Sequence, residues 1–372
     1  MPDAEIVALL SYRRSELERQ VMSAPASPVD DTVLDFHGVN RSSLGQLGTI
    51  PLELLEEVTR YCTLHALISL GFVNRFATLL VSSSSPYTLL ATHVPALLTT
   101  LLHTDTAFYF TTQEVYDVLC SPSCCVCGFY GQYMYMPECV RCCERCLRQS
   151  PRFWPITATT IEKAYGITLK ALRETDIPII KSLRGTRIND RNEEVRMTRG
   201  IFYMSERSAW EVAVRWHGRE DVLERYVNRR PMSKQLHEAR LNGWDWLIPD
   251  EEHASRFRAT AYLPYFNSST GTVERGLSCR GCRARARRLP STITYNASSV
   301  AHHRETLRLV GRAYTRKHFL QHVQKCEPCG ELLRIKGWKQ PDQVPPMHGT
   351  YPSGVRETFV NSMDRRRSCR GT

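Results

Sequence analysis

Apolar positions recur three and four residues apart through most of the chain up to Arg229, the spacing of helices that bury one face. Residues 3–22 read as one amphipathic surface helix, with Ile6, Leu9, Leu10, Leu17 and Val21 near one face and Arg13, Arg14, Glu18 and Arg19 opposite. Residues 23–46 begin Ser-Ala-Pro-Ala-Ser-Pro and read as a linker. Leu52, Leu55 and Val58, then Leu64, Leu67, Ile68 and Leu70, predict two or three short helices packed together. Pro51 is expected at the first helical position, where the N–H it lacks would have no partner, with Thr49 as the cap. Glu53, Glu56 and Glu57 fall where the positive end of the helix dipole favours acid. Pro86 opens a helical segment over 87–102, and Thr111 or Thr112 caps the next, with Glu114 in its first turn.

Short helices are expected around Ile161–Tyr165 and Leu169–Glu174. Ser205 caps a helix reaching Trp216, with Ala209, Val212, Ala213 and Trp216 on one face, and Gly218 separates it from another over Arg219–Arg229. From Arg256 the pattern changes to a β-hairpin. Its arms are residues 256–263 and 272–277, around Asn267-Ser268-Ser269-Thr270-Gly271, and it runs straight into Cys279. From Gln340 onward, Pro345, Pro346, Gly349 and Arg365-Arg366-Arg367 read as a disordered basic tail. No period of 20–50 residues marks a solenoid or propeller. The class is therefore mainly α with small β elements (α+β).

Composition narrows the picture. The 372 residues, 42% apolar and 23% charged, suit a globular chain with ample length for a core. A net charge of +11 favours acidic partners. The acidic start, Met1 to Ile6, followed by Arg13, Arg14 and Glu16, is unlike a signal peptide. No apolar run is long enough to cross a bilayer, so no membrane partner is expected. A cytoplasmic or nuclear setting follows, in which 14 cysteines point to metal more than to disulfides.

The cysteines cluster twice. Cys124-x2-Cys127-Gly128 is a knuckle in which two thiolates converge on one ion, with the glycine easing the turn. Zinc needs four ligands, and Cys143-x2-Cys146 supplies the other two, with Cys139-x2-Cys142 an almost equal alternative. A cross-braced, two-metal ring module needs about eight ligands including histidine, and no histidine lies between His103 and His217. The second cluster is split: Cys279-x2-Cys282 follows the hairpin, and His322-x3-Cys326 would share a face if residues 316–325 are helical, giving a Cys3His site. His318 and Cys329 are alternative donors there. Sulfur-rich four-ligand sites are closed, and their binding energy is folding energy, so two structural zinc ions are expected.

Catalytic patterns are missing. His302-His303-Arg304-Glu305 lacks the H-E-x-x-H spacing, and neither Cys62 nor Cys120 has a histidine and acid at motif spacing. The chain is read as a non-enzyme. Arg275, Arg280, Arg283, Arg285, Arg287, Arg288, Arg304, Arg308, Arg312, Arg316 and Lys317, with Tyr295 and Tyr314 between them, leave nucleic-acid binding as an alternative, without a base-reading motif.

The stretch Ile50-Pro51-Leu52-Glu53-Leu54-Leu55, Leu64 to Leu70, and Gly71-Phe72-Val73-Asn74-Arg75-Phe76 resembles an F-box. Pro86-Tyr87, the run Cys124-x2-Cys127-Gly128-Phe129-Tyr130-Gly131 to Pro137-x-Cys139-x-Arg141-Cys142-Cys143-x2-Cys146-Leu147, and the late Cys and His pairs extend the likeness to F-box proteins of filamentous fungi, over about residues 44–335. Ile50 stands where leucine is usual and Gly71-Phe72 where a basic or polar pair is common. The resemblance implies an adaptor that binds a Skp-type linker, and through it a cullin ubiquitin ligase, by Ile50, Pro51, Leu54, Leu55, Val58, Leu67, Leu70 and Val73. Of these, Leu54 and Leu55, together with Leu67, are expected to form an exposed apolar surface. The implied layout is an N-terminal helix and linker (1–43), a three-helix F-box (44–84), a helical domain with a zinc knuckle at 120–150 (85–255), a hairpin–helix zinc module (256–338) and the tail (339–372).

Overall fold

A computed structural model describes residues 2–24, 45–188, 194–230, 255–287 and 309–334. Most of the expected linker, the centre of the arginine-rich segment with His302 and His303, and the whole basic tail lie outside the described residues. The rest is mainly helical with small sheets. Helices α1 (Asp3–Leu10) and α2 (Ser15–Glu18) flank strand β1 (Ser11–Tyr12); then come α3 (Leu52–Tyr61), α4 (Leu64–Gly71), α5 (Arg75–Ser83), α6 (Ser85–His93), α7 (Pro95–His103) and α8 (Thr112–Cys120). The middle of the chain forms β2 (Tyr133–Tyr135), β3 (Val140–Cys142), α9 (Glu144–Gln149), β4 (Pro155–Thr157), α10 (Ala158–Tyr165), α11 (Leu169–Arg173), β5 (Ile180–Lys181), β6 (Gly185–Ile188), β7 (Glu194–Met197), β8 (Phe202–Ser205), α12 (Glu206–His217) and α13 (Glu220–Asn228). Strands β9 (Thr260–Tyr262), β10 (Tyr265–Asn267), β11 (Thr272–Glu274) and β12 (Ser278–Cys279) precede α14 (Arg280–Arg287), α15 (Arg316–Lys325) and α16 (Glu327–Arg334).

Side-chain caps set many of the helix starts. Thr63, Asn74, Thr157, Ser205 and Thr315 each accept a first-turn N–H, and Thr111 with Glu114 forms a reciprocal capping box. Pro51 departs from expectation. It is the residue before α3, with extended ψ, and the Thr49 hydroxyl instead donates to the Gln46 carbonyl at 2.8 Å. The segment 87–102 is two helices, because Pro95 cannot donate to the preceding turn and starts α7 anew. Residues 3–22 are not one helix either. At Ser11–Tyr12 the chain extends to pair with β12, Ser11 opposite Cys279, so a long-range ladder overrides local helical periodicity.

The largest core gathers Leu64, Leu67, Leu90, Leu97 and Leu101 from the N-terminal helices around Tyr133, Met134 and Tyr135 of β2, all three fully buried. Strand β2 is the centre of the sheet β3-β2-β9, with Tyr133 opposite both Cys142 and Tyr262. The expected hairpin is therefore narrower. Only Tyr265–Asn267 pairs with Thr272–Glu274, whereas the earlier arm turns to β2, where Ala261 meets Met134. Phe257 and Phe266 join the same core, so packing runs across positions 84/85 and 255/256. A second core, centred on Ile161, Tyr165, Trp210 and Leu223, lies with the sheet β4-β8-β5. A third holds Leu10, Phe319 and four cysteines. No helix among the described residues is long and apolar enough to cross a membrane.

Candidate metal centres

The first centre is built from two short turns. Cys124 donates its N–H to Phe129 at 2.6 Å and accepts from Gly128 at 2.9 Å. Gly128, at φ +71°, takes the left-handed bend that closes this knuckle and that a side chain would strain. The opposite turn is the start of α9: Cys143 is its cap, and its Sγ accepts the Cys146 N–H at 3.4 Å. Four sulfurs, those of Cys124, Cys127, Cys143 and Cys146, lie mutually within 4.8 Å, with Cys127 and Cys143 3.6 Å apart. They could hold a metal ion.

The alternative pair is placed elsewhere. Cys142 ends β3 inside the main core, and Cys139 occupies a left-handed turn at φ +47°. Burial pushes both of those thiols well up, keeping them protonated. Cys125, beside a ligand candidate, is exposed and turned away from the set. Hydrogen bonds from Cys127, Cys143 and Cys146 instead hold Cys124 low, the behaviour of sulfurs that share charge. Between the two later cysteines sits Glu144, buried and paired with Arg14 at 2.7 Å and Arg148 at 3.2 Å. Arg14 comes from the N-terminal segment, a contact that no local pattern announced.

Arg141 braces the same loop. Its guanidinium, fully buried, donates to the carbonyls of Val118, Leu119, Gly131, Leu263 and Pro264 at 2.6–3.2 Å. Desolvation lowers its pKa to about 10, still far enough above neutrality to leave it charged. Gly131 lets it pass, since a Cβ there would come within 2.6 Å of the arginine side chain and 2.9 Å of the Cys142 carbonyl.

At the second centre, Cys279 ends β12, Cys282 lies on the first turn of α14, His322 is on α15 and Cys326 caps its end. Their ligand atoms fall mutually within 4.8 Å and could hold a second ion. As at Cys143 and Cys146, the Cys282 N–H points at the Cys279 sulfur, at 3.4 Å. His322 Nε2 is 3.4 Å from Cys282 Sγ, while Nδ1 faces the Tyr314 hydroxyl at 3.4 Å and the two rings stack. A partner on the far nitrogen orients an imidazole ligand. Burial lowers the His322 pKa, but hydrogen bonds to Cys279 and Cys326 outweigh it and raise the value to about 9. His318 is exposed and bonds to Thr315, its own helix cap, so it is not among the donors. Cys329 is fully buried, with its sulfur 3.3 Å from that of Cys279.

The surface expected on the N-terminal helices is differently composed. Leu55 and Leu67 are interior, 5% and 0% exposed, because they close α3 and α4 onto the rest of the fold. Leu54, Val58 and Val73 are exposed, Pro51 is exposed, and Ile50 and Leu70 are half-buried. Leu52, Tyr61, Phe72, Phe76 and Leu79 add large apolar side chains that spacing alone had not assigned to the surface. Of the basic residues described, Arg280 donates to the Ser11 carbonyl, Arg283 stacks on Tyr12, Arg285 pairs with Glu327 and Arg312 lies over Phe129. Comparisons with family models, with curated proteins and with solved structures each find no match to this chain.

Proposed function

We propose that the chain is a zinc-stapled, non-enzymatic adaptor that docks through α3–α5 on a Skp-type linker, and so on a cullin ubiquitin ligase, to recruit a protein substrate. The observation that carries the reading is the crowding of exposed apolar side chains along this stretch of chain. Eight of the fifteen large exposed apolar residues in the described chain fall between Leu52 and Leu79. They fall on α3, on α5 and in the turn before α5, and exposed apolar side chains gathered in one short stretch of chain suit a partner interface better than a free surface. The F-box-like residue pattern supplies the identity of that partner. The two sulfur-rich clusters fit zinc by donor type, since closed four-donor thiolate and imidazole sets are the chemistry of structural zinc.

The test is co-purification of the full chain with a Skp-type protein. Leu54→Asp with Val58→Asp abolishes it, while metal content and melting stay those of wild type, because both side chains point outward. Leu55→Asp is uninformative, since it unfolds the core. A wild-type chain that does not bind any Skp-type protein at micromolar concentration removes the adaptor reading.

A further inference from the structure

The second centre holds more donors than a tetrahedral ion can use. Zn–S bonds of about 2.3 Å and Zn–N bonds of about 2.0–2.1 Å set tetrahedral edges of roughly 3.8 Å between sulfurs and roughly 3.5 Å between sulfur and nitrogen. Cys279 to Cys326 and Cys282 to Cys326, both 3.9 Å, and Cys282 to His322 at 3.4 Å fall near those edges. Cys279 to Cys329, at 3.3 Å, falls well inside them. Cys329 therefore touches a ligand of the set Cys279, Cys282, His322 and Cys326 without occupying a fifth corner.

Its place is built. Cys326-Glu327-Pro328-Cys329 repeats the C-x2-C spacing of the other knuckles. The Cys329 N–H turns back to the Cys326 carbonyl at 2.9 Å, holding the thiol against the cluster. Across from it, Gly281 leaves the room that the sulfur fills: a Cβ there would come within 2.7 Å of both the Cys329 sulfur and its backbone nitrogen. The donors are unequal in exposure. Cys279, Cys282, Cys326 and Cys329 are buried, whereas His322 is partly exposed.

Resting on the metal assignment above, we propose that the second centre is an exchangeable site for a soft divalent ion, with two overlapping ligand sets that share Cys279, Cys282 and Cys326. In one set His322 is the fourth ligand; in the other Cys329 replaces it. In the exchange the bond from metal to Nε2 breaks and a bond from metal to the Cys329 sulfur forms. The thiol proton of Cys329 passes to the freed imidazole, so neither proton nor oxidant is needed from outside. The first centre has no such fifth thiol: Cys125 is turned to solvent and Cys142 is locked in β3.

The experiment uses the full chain loaded with Co²⁺, whose absorption separates three-sulfur, one-nitrogen coordination from all-sulfur coordination. Wild type binds two ions. Cys329→Ala binds two with an unchanged spectrum, His322→Ala binds two with the second site shifted to the all-sulfur form, and His322→Ala with Cys329→Ala binds one. Loss of the second ion in folded His322→Ala, or in Cys329→Ala alone, overturns the proposal. Should His322→Ala fail to fold, chelator-driven release decides: the second ion leaves Cys329→Ala at least about tenfold faster than wild type, because the set that holds it once Nε2 lets go is gone, on the scale by which losing a group at a ligand weakens metal binding. Equal rates overturn the exchange and leave the metal assignment standing. A folded wild-type chain that binds no ion refutes the metal assignment itself.

Discussion

Replacing Cys124 with alanine separates a structural ion from a cluster of buried thiols. The variant removes one of four converging sulfurs, and Cys125→Ala, one residue away, removes a thiol outside the set. Structural zinc contributes about 10–16 kcal/mol of apparent binding free energy to folding in small sites at neutral pH. Losing even a third of that, about 3–5 kcal/mol, is a large share of the roughly 5–15 kcal/mol that separates folded from unfolded domains. The contacts around the cluster are what loss of an ion would release. The knuckle closes through Cys124 to Phe129 and Gly128, and Cys125 donates to the Arg141 carbonyl on β3. Opposite, Cys143 and Cys146 start α9, whose Leu147 is fully buried beside Phe153 and Tyr133 in the main core. At about 2–4 °C per kcal/mol for a chain of this size, the midpoint of Cys124→Ala drops by at least about 6 °C. Thermal melts followed by circular dichroism, with metal counted per chain, check this: Cys124→Ala carries one ion fewer and melts early, and Cys125→Ala matches wild type. Identical melts and identical metal content for Cys124→Ala and wild type would refute the staple.

Arg141→Met leaves five buried carbonyls without their donor, and unfolding in urea should show a loss of at least about 3–5 kcal/mol, the scale for breaking a buried charged network. Arg14→Ala strips one of two partners from buried Glu144, and Arg14→Ala with Glu144→Gln recovers part of the loss; a double-mutant cycle with no coupling would show that the pair is inert. Thr111→Ala opens the capping box of α8 and costs about 0.5–2 kcal/mol in the same urea titration, with metal content unchanged.

What the chain announced in advance was local chemistry. Side-chain caps at Ser205 and Thr111, the glycine after Cys127, the helix carrying His322 one turn before Cys326, and the ligand candidates of both centres all depend on residues within about five positions of one another or on repeated spacing. The choice of Cys143 and Cys146 over Cys139 and Cys142 was not legible, since both pairs have the same spacing. Pairing decides it: β3 must lie against β2, which turns Cys142 into the core and leaves the next residue free to cap α9. The division of Leu54 from Leu55 and Leu67 was hidden for a related reason. Helical periodicity says that one face is apolar, but the helices here are apolar on more than one face, and only the packed neighbours reveal which one is covered.

The N-terminal segment carries the same lesson further, because its role comes wholly from distant partners. Taken alone, residues 3–22 are a marginal amphipathic helix. Folded, Leu10 is buried among the cysteines of the second centre, Ser11 pairs with Cys279 itself, Arg280 holds the Ser11 carbonyl at 2.7 Å, and Tyr12 lies under Arg283. A few residues on, Arg14 reaches the carboxylate set between two candidate ligands of the first centre, and Met22 donates its N–H to Thr260 beside β2. One stretch of about a dozen residues thus touches both candidate metal centres and the central sheet. The two centres are therefore joined through the N-terminal segment as well as through the core, and a fragment begun after Met22 would lose the cover of the second centre and a counter-charge of the first together.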